Sequence, residues 1–237
     1  MEKLIVALDF ANIDQAIETV DLLDDEVSFY KIGLELMMSG KYFEVIKYLK
    51  QKNKKIFADL KLHDISQTMT KAIANLLQYQ IDLLTIHCTN FQTMQECAKI
   101  KGSMKIVGVS VLTNQDDKDL WMMGYDQKLK VEQLVKLKTK MVLDAGLDGV
   151  VSSANEAMML RKNFHQDFLI ITPGIRLNKI SNDDQKRTAD VNQAINSGSS
   201  YLVVGRPITQ SQDPKSSAKK FNQLINEAIA NSSTNKY

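Results

Sequence analysis

The chain has 237 residues, of which 44% are hydrophobic and 24% charged, an ordinary globular composition that excludes a disordered or fibrous polymer. Thirty Lys and Arg against 28 Asp and Glu leave a formal charge of +2, which argues against a nucleic-acid-binding or membrane-surface protein. No apolar run approaches the ~18 residues that a membrane-spanning helix needs, and the length admits one domain of about 250 residues or two small ones.

The chain opens MEKLIVALDF, with an acid at position 2 and no small-residue cleavage site, so it reads as a first strand and not as a signal peptide. Short β-branched apolar runs then recur: 4–9, 28–33, 55–61, 82–88, 105–112, 148–153, 168–174 and 201–207. Each is too short for a helix and almost continuously apolar, the pattern of strands buried on both faces. Helical spacing fills the intervals. A helix is predicted over 13–23 with Asn12 as N-cap, and over 41–51 with Phe43, Ile46 and Leu49 as its apolar stripe. Others are predicted over 66–78 with Ser66 as N-cap, over 131–146 closing at Gly146, and over 215–231 after Asp213-Pro214. Residues 232–237 are expected to form a frayed tail. Such alternation implies a parallel sheet with right-handed crossovers. Eight units in this length fit an α/β fold, a single (β/α)8 TIM barrel forming one catalytic domain over 1–237, better than the alternative of an open doubly wound sheet. No Pro/Gly/Ser-rich linker divides the chain, and its three prolines, Pro173, Pro207 and Pro214, all lie late.

Barrel enzymes carry their sites at the C-terminal ends of the strands, and polar residues collect there. Asp9 closes the first run, Lys31 lies in the second, and Asp59 and Lys61 lie in the third with Asp64 just beyond. Thr113 follows the fifth, Arg176 the seventh and Gly205-Arg206 the eighth. One such charge is ordinarily a solvated loop residue; a set of them at one end of a barrel points to a site. The densest segment is DLKLHDI, 59–65. Residues two apart on a strand share a face, so Asp59 and Lys61 are expected to enter the barrel mouth together. A lone buried Lys would lose its charge, whereas flanking carboxylates hold it as an ammonium. The alternation therefore suggests a cation held ready to donate a proton; the plainer alternative is a structural ion-pair network. Gly205 lets the backbone approach a ligand, and Arg206 offers a fork of donors where barrels usually bind phosphate. The loop 171–187, carrying Arg176 and Gln185, reads as a lid over an anion or as an ordinary surface loop.

Remaining features read more plainly. Cys88 and Cys97 are taken as free thiols of a cytoplasmic protein, and two cysteines without suitably spaced His make no zinc site. Asn231-Ser232-Ser233 matches a glycosylation acceptor but carries no weight without a secretory signal. His63 is expected to face away from the mouth and make a structural hydrogen bond, His87 to pack at the site floor, and His165 to lie on the surface. The basic run 50–55 reads as solvated, Trp121-Met122-Met123 as core or dimer interface, and the scattered methionines as core filling.

DLKLHDI followed by Thr68 resembles the signature of the orotidine 5'-phosphate decarboxylase family. So do IVALD, YKIG, VLT, TPGIR, DDQKR and VVGRPI at their places along the chain. The resemblance implies removal of CO2 from orotidine 5'-phosphate to give UMP, the last step of de novo pyrimidine biosynthesis, with no metal and no organic cofactor. It implies that Lys61 protonates C6 of the pyrimidine and that Asp59 sits near the substrate carboxylate. Lys31 and Asp9 would contact the ribose and Thr113 the pyrimidine. Arg176, Gln185, Gly205 and Arg206 would hold the phosphate, with Gln185 bridging towards the base. It further implies a homodimer in which Asp64, Ile65 and Thr68 reach the neighbouring subunit's site. The chain departs from the family pattern at Ser66 and Gln67, where Pro-Asn is usual. A sugar-phosphate branch of the same superfamily, a magnesium-dependent decarboxylase or an aldol-type synthase, is the rival reading; it is expected to carry an acid as metal ligand where this chain has Lys31. A non-catalytic phosphate-binding barrel, regulatory in role, is the rival from another class, and Asp59, Lys61 and Asp64 together argue against it.

Overall fold

Every apolar run buries both of its faces, because alternate residues go to two different cores. In a computed structural model, which describes residues 3–177 and 188–234 (for 233 and 234 the backbone alone), the runs form eight strands. They are β1 Leu4–Ala7, β2 Phe29–Gly33, β3 Lys55–Leu62, β4 Leu83–His87, β5 Lys105–Val109, β6 Gly149–Val151, β7 Leu169–Thr172 and β8 Tyr201–Val204. All pair in parallel with their sequence neighbours, and β8 pairs with β1 to close the barrel. Ile5, Phe29, Phe57, Leu83, Val107, Ile171 and Val203 fill the interior as a cluster of their own. The intervening residues, among them Val6, Tyr30, Ile56, Leu84 and Ile106, pack outward into the cluster shared with the helices. Full burial of such a side chain contributes roughly 1.5–3 kcal/mol.

The inward parity continues past the apolar layer. Ile5 and Ala7 are followed by Asp9, Phe29 by Lys31, Phe57 by Asp59 and Val203 by Gly205. The period of two thus lifts the polar residues to the C-terminal mouth.

Eleven α-helices lie among the described residues: α1 Ile13–Leu23, α2 Leu34–Met38, α3 Tyr42–Gln51, α4 Ser66–Leu77, α5 Phe91–Ile100, α6 Asp117–Met122, α7 Val131–Asp144, α8 Ala154–Asn163, α9 Val191–Asn196, α10 Arg206–Thr209 and α11 Pro214–Thr234. Asn12 caps α1 as expected, its side chain accepting from the Asp14 N–H at 2.7 Å. Several local expectations are corrected. Ile65, in extended conformation, precedes α4, and Ser66 is its first helical residue; the Ser66 hydroxyl instead meets the Thr93 hydroxyl on α5 at 2.8 Å. α3 buries Tyr42 and Val45 beside Ile46 and Leu49, while Phe43 is exposed and stacks on Tyr79. Gly146 does close α7 as expected, at φ +83° with its N–H donating to the Leu143 carbonyl and the Leu147 N–H to the Val142 carbonyl, and only the last helical residue, Asp144, falls short of the predicted bound. α11 runs through Thr234, so 232–234 belong to a helix and not to a tail; 235–237 lie outside the described residues.

The basic run is not simply solvated. Lys50 pairs with Asp82 at 2.7 Å, Lys52 with Asp21 at 2.9 Å, and Lys54 donates to the Asp24 and Val27 carbonyls. Trp121 is half-buried under the Lys130 ammonium, and Met122 and Met123 are exposed. Cys88 and Cys97 are free and buried. Among the described residues no helix is long and apolar enough to cross a membrane.

Candidate active site

The C-terminal mouth encloses a cavity of about 830 Å³ lined by Asp9, Lys31, Asp59, Lys61, Thr113, Arg176, Gly205 and Arg206. A smaller hollow of about 500 Å³ lies at the opposite mouth around Phe29, Leu83 and Tyr201. Its carboxylate, Asp82, is occupied by Lys50 and the Ile56 N–H. The charged side chains of both signs converge at the C-terminal end.

Four side chains form a chain of alternating sign there. Lys31 Nζ lies 2.7 Å from Asp9 Oδ1 and 3.6 Å from Asp59 Oδ2, and Lys61 Nζ lies 2.8 Å from the same Asp59 oxygen. The side chains of Lys31 and Asp59 are 11% and 15% exposed, and that of Lys61 is 30% exposed. Burial alone would push the Lys31 ammonium towards neutrality, but the charges of Asp59 and Asp9 and the bonds they accept raise its pKa above the ordinary Lys value. Burial likewise favours a neutral Asp59, yet Lys31 and Lys61, with bonds from Lys61 and Thr85, hold it below the usual carboxylate range. Both groups are therefore charged at neutral pH.

Asp59 and Lys61 do converge, but not by simple strand alternation. The pairing of β3 with β4 shifts register between Ala58 and Leu62, and Lys61 sits at φ +48°. This bulge in the left-handed region turns the Lys61 side chain onto Asp59. Thr85 on β4 supports it: its Oγ1 accepts the Lys61 N–H at 2.9 Å and donates to Asp59 Oδ1 at 2.9 Å. Sequence reading passed over Thr85. The available signal was a hydroxyl on the inward parity of β4, between Leu83 and His87.

The other expected residues fall into three groups. Thr113, Gly205 and Arg206 line the cavity. Arg176 is buried in its wall, where its backbone N–H donates to the Ala189 carbonyl and its guanidinium to the Ile175 carbonyl, both at 3.0 Å. Asp64, Ile65 and Thr68 are exposed and lie outside this chain's own cavity lining; the Asp64 carboxylate accepts the Ile65 N–H at 2.7 Å. Gln185 and the loop segment 178–187 lie outside the described residues. Glu35, Asn114, Thr209 and Gln210 line the cavity without having been singled out.

Among the described residues, His63 makes a ring contact with His87, centroids 5.7 Å apart, in place of the hydrogen bond expected of it. Burial, then the nearby His63, Lys138 and Lys61, lower the His87 pKa, so its imidazole is neutral at pH 7. His165 is exposed. No group of three or more His, Cys, Asp and Glu among the described residues is placed to hold a metal ion.

The geometry can be set against known proteins. The family model of orotidine 5'-phosphate decarboxylase / HUMPS matches residues 2–221. The orotidine 5'-phosphate decarboxylase of Methylococcus capsulatus is 40% identical over 230 residues, covering 97% of this chain and 94% of the relative. That of Stenotrophomonas maltophilia is 41% identical over 230 residues, covering 97% and 95%. The crystal structure of orotidine 5'-phosphate decarboxylase from Lactobacillus acidophilus superposes with a TM-score of 0.83 at 33% identity, covering 95% of this chain and all of that one.

Proposed function

The chain belongs to the orotidine 5'-phosphate decarboxylase / HUMPS family, and on that premise we propose that it converts orotidine 5'-phosphate to UMP and CO2, without metal or organic cofactor, in pyrimidine biosynthesis. One observation carries this reading within the family: Lys31 stands between Asp9 and Asp59, at 2.7 and 3.6 Å. A divalent cation shared by those carboxylates would have to displace a buried ammonium, which the magnesium-dependent branch has no reason to keep there.

The residues supply the chemistry that decarboxylation needs. Cleavage of the C6–carboxylate bond leaves its electron pair on C6, with no adjacent electron sink. The Lys61 ammonium, held by Asp59, lies where it can stabilise that charge and then deliver a proton to C6; the neutral amine is reprotonated from solvent. Asp59 faces the departing carboxylate, Lys31 and Asp9 the ribose, and Thr113 the pyrimidine. Arg206, Gly205, Arg176 and Gln185 take the phosphate. Binding energy from that remote dianion helps hold the array in register.

The same reading assigns Asp64, Ile65 and Thr68 to the neighbouring subunit's site in a homodimer, working in the cytoplasm on small molecules and not on nucleic acid or membrane. Their exposure beside, but outside, their own cavity supports it; Ile65 is 69% exposed, an uncovered aliphatic side chain at the rim of a polar mouth. The test is turnover of orotidine 5'-phosphate by chelator-treated protein, followed by the change in pyrimidine absorbance.

A further inference from the structure

Between the paired positions Ala58–Leu84 and Leu62–Ile86, β3 has three residues where β4 has one. Asp59, Leu60 and Lys61 thus stand opposite Thr85 alone, and the strand ladder cannot serve them all by backbone pairing. Thr85 is fully buried. Its hydroxyl has one proton, and the partners fix where that proton goes. A backbone N–H can only donate, so Oγ1 accepts from Lys61; the proton is left for the ionised Asp59 Oδ1, which can only accept. The hydroxyl therefore takes the place of the missing backbone acceptor at the bulge and orients the carboxylate that holds the Lys61 ammonium at 2.8 Å.

We propose that Thr85 is a positioning residue for the reaction: through one hydroxyl it fixes both the left-handed backbone of Lys61 and the rotamer of Asp59. This rests on the decarboxylase reading of the site. Thr85 is absent from the cavity lining, so its effect passes through those two residues.

Thr85→Val keeps the shape and removes donor and acceptor together; Thr85→Ser keeps the hydroxyl. Valine is expected to lower kcat on orotidine 5'-phosphate by about 10- to 100-fold, the usual cost of losing a supporting partner, with KM changed by less than about threefold. Serine should stay within about threefold of wild type. The acid limb of the pH profile should move to higher pH in the valine variant only, because Asp59 loses a hydrogen bond to its ionised form. Lys31 on β2, Lys61 on β3, Asp9 beyond Lys31, Tyr42 on α3 and His87 on β4 surround that carboxylate and are unchanged in both variants. A valine variant with wild-type kcat and pH profile, or a serine variant as impaired as valine, overturns the proposal. If the valine variant does not fold, Thr85→Ala supplies the same comparison. Hydrogen exchange of the Lys61 amide in the wild type reads the bond without any turnover: strong protection is expected, and loop-like exchange overturns it. Absence of wild-type turnover would count against the decarboxylase reading, whereas normal wild-type turnover with an unaffected valine variant counts against Thr85 alone.

Discussion

Lys61 occupies backbone that L-residues avoid, at φ +48°, a conformation costing about 1–2 kcal/mol. The surroundings over-determine it: Asp59 holds its ammonium, Thr85 holds its N–H, and β3 continues on either side. The types and spacing of Asp59 and Lys61 were legible in the sequence because acids and amines two apart on an apolar strand have few other uses. The bulge was not legible, since it depends on where β4 offers a partner, and neither was Thr85, whose hydroxyl resembles any strand threonine. Lys61→Ala removes the proton donor while leaving the phosphate and ribose groups untouched. It is expected to cut kcat by about 10²- to 10⁴-fold, with UMP binding changed by less than about threefold and the melting temperature by only a few degrees. Parallel turnover, calorimetric titration with UMP and thermal melts check this, and a fully active variant would remove Lys61 from its role.

At the scale of elements, the strands were readable because burial on both faces makes them short and uninterrupted. Helices were readable where a cap and an apolar stripe coincide, as with Asn12 and Ile13, Ala16, Val20 and Leu23 of α1. α5 and α8 escaped because they pack through inconspicuous residues, Thr93, Met94 and Cys97 in one and Ala154, Glu156, Ala157 and Leu160 in the other. Glu156 is buried there as an acceptor for Ser152 and the Ser153 N–H, a use of charge no apolar pattern announces. Closure of the barrel at its thinnest strand makes a sharper demand. A Cβ on Gly149 of β6 would stand 2.0 Å from the Leu169 carbonyl oxygen of β7, and a strand backbone cannot yield as a side chain can. Gly149→Ala is expected to cost about 3 kcal/mol or more of stability, read from the urea midpoint at constant m-value. A cost below about 0.5 kcal/mol, the range of ordinary surface changes, would show that β6 and β7 are not so closely apposed.

At the scale of the molecule, the formal charge of +2 hides a strong local field. Lys31, Lys61, Arg176 and Arg206 gather at one mouth, offset by Asp9 and Asp59, while Asp64 stands outside. Asp64 is exposed and outside the lining of its own cavity, the placement that the proposed sharing of sites between two copies requires. Lys61→Ala and Asp64→Ala should each be nearly inactive alone. Mixed in equal amounts and allowed to exchange, they should regain about one quarter of wild-type activity, because half the dimers are hybrids with one intact site. No recovery, or a monomer by sedimentation at working concentration, would contradict the shared site. The central claim is tested most directly by purified wild-type protein, stripped with chelator, mixed with orotidine 5'-phosphate while the pyrimidine absorbance is followed. Turnover to UMP that is indifferent to added magnesium is the expected result; no turnover, or turnover that appears only with magnesium, would contradict it.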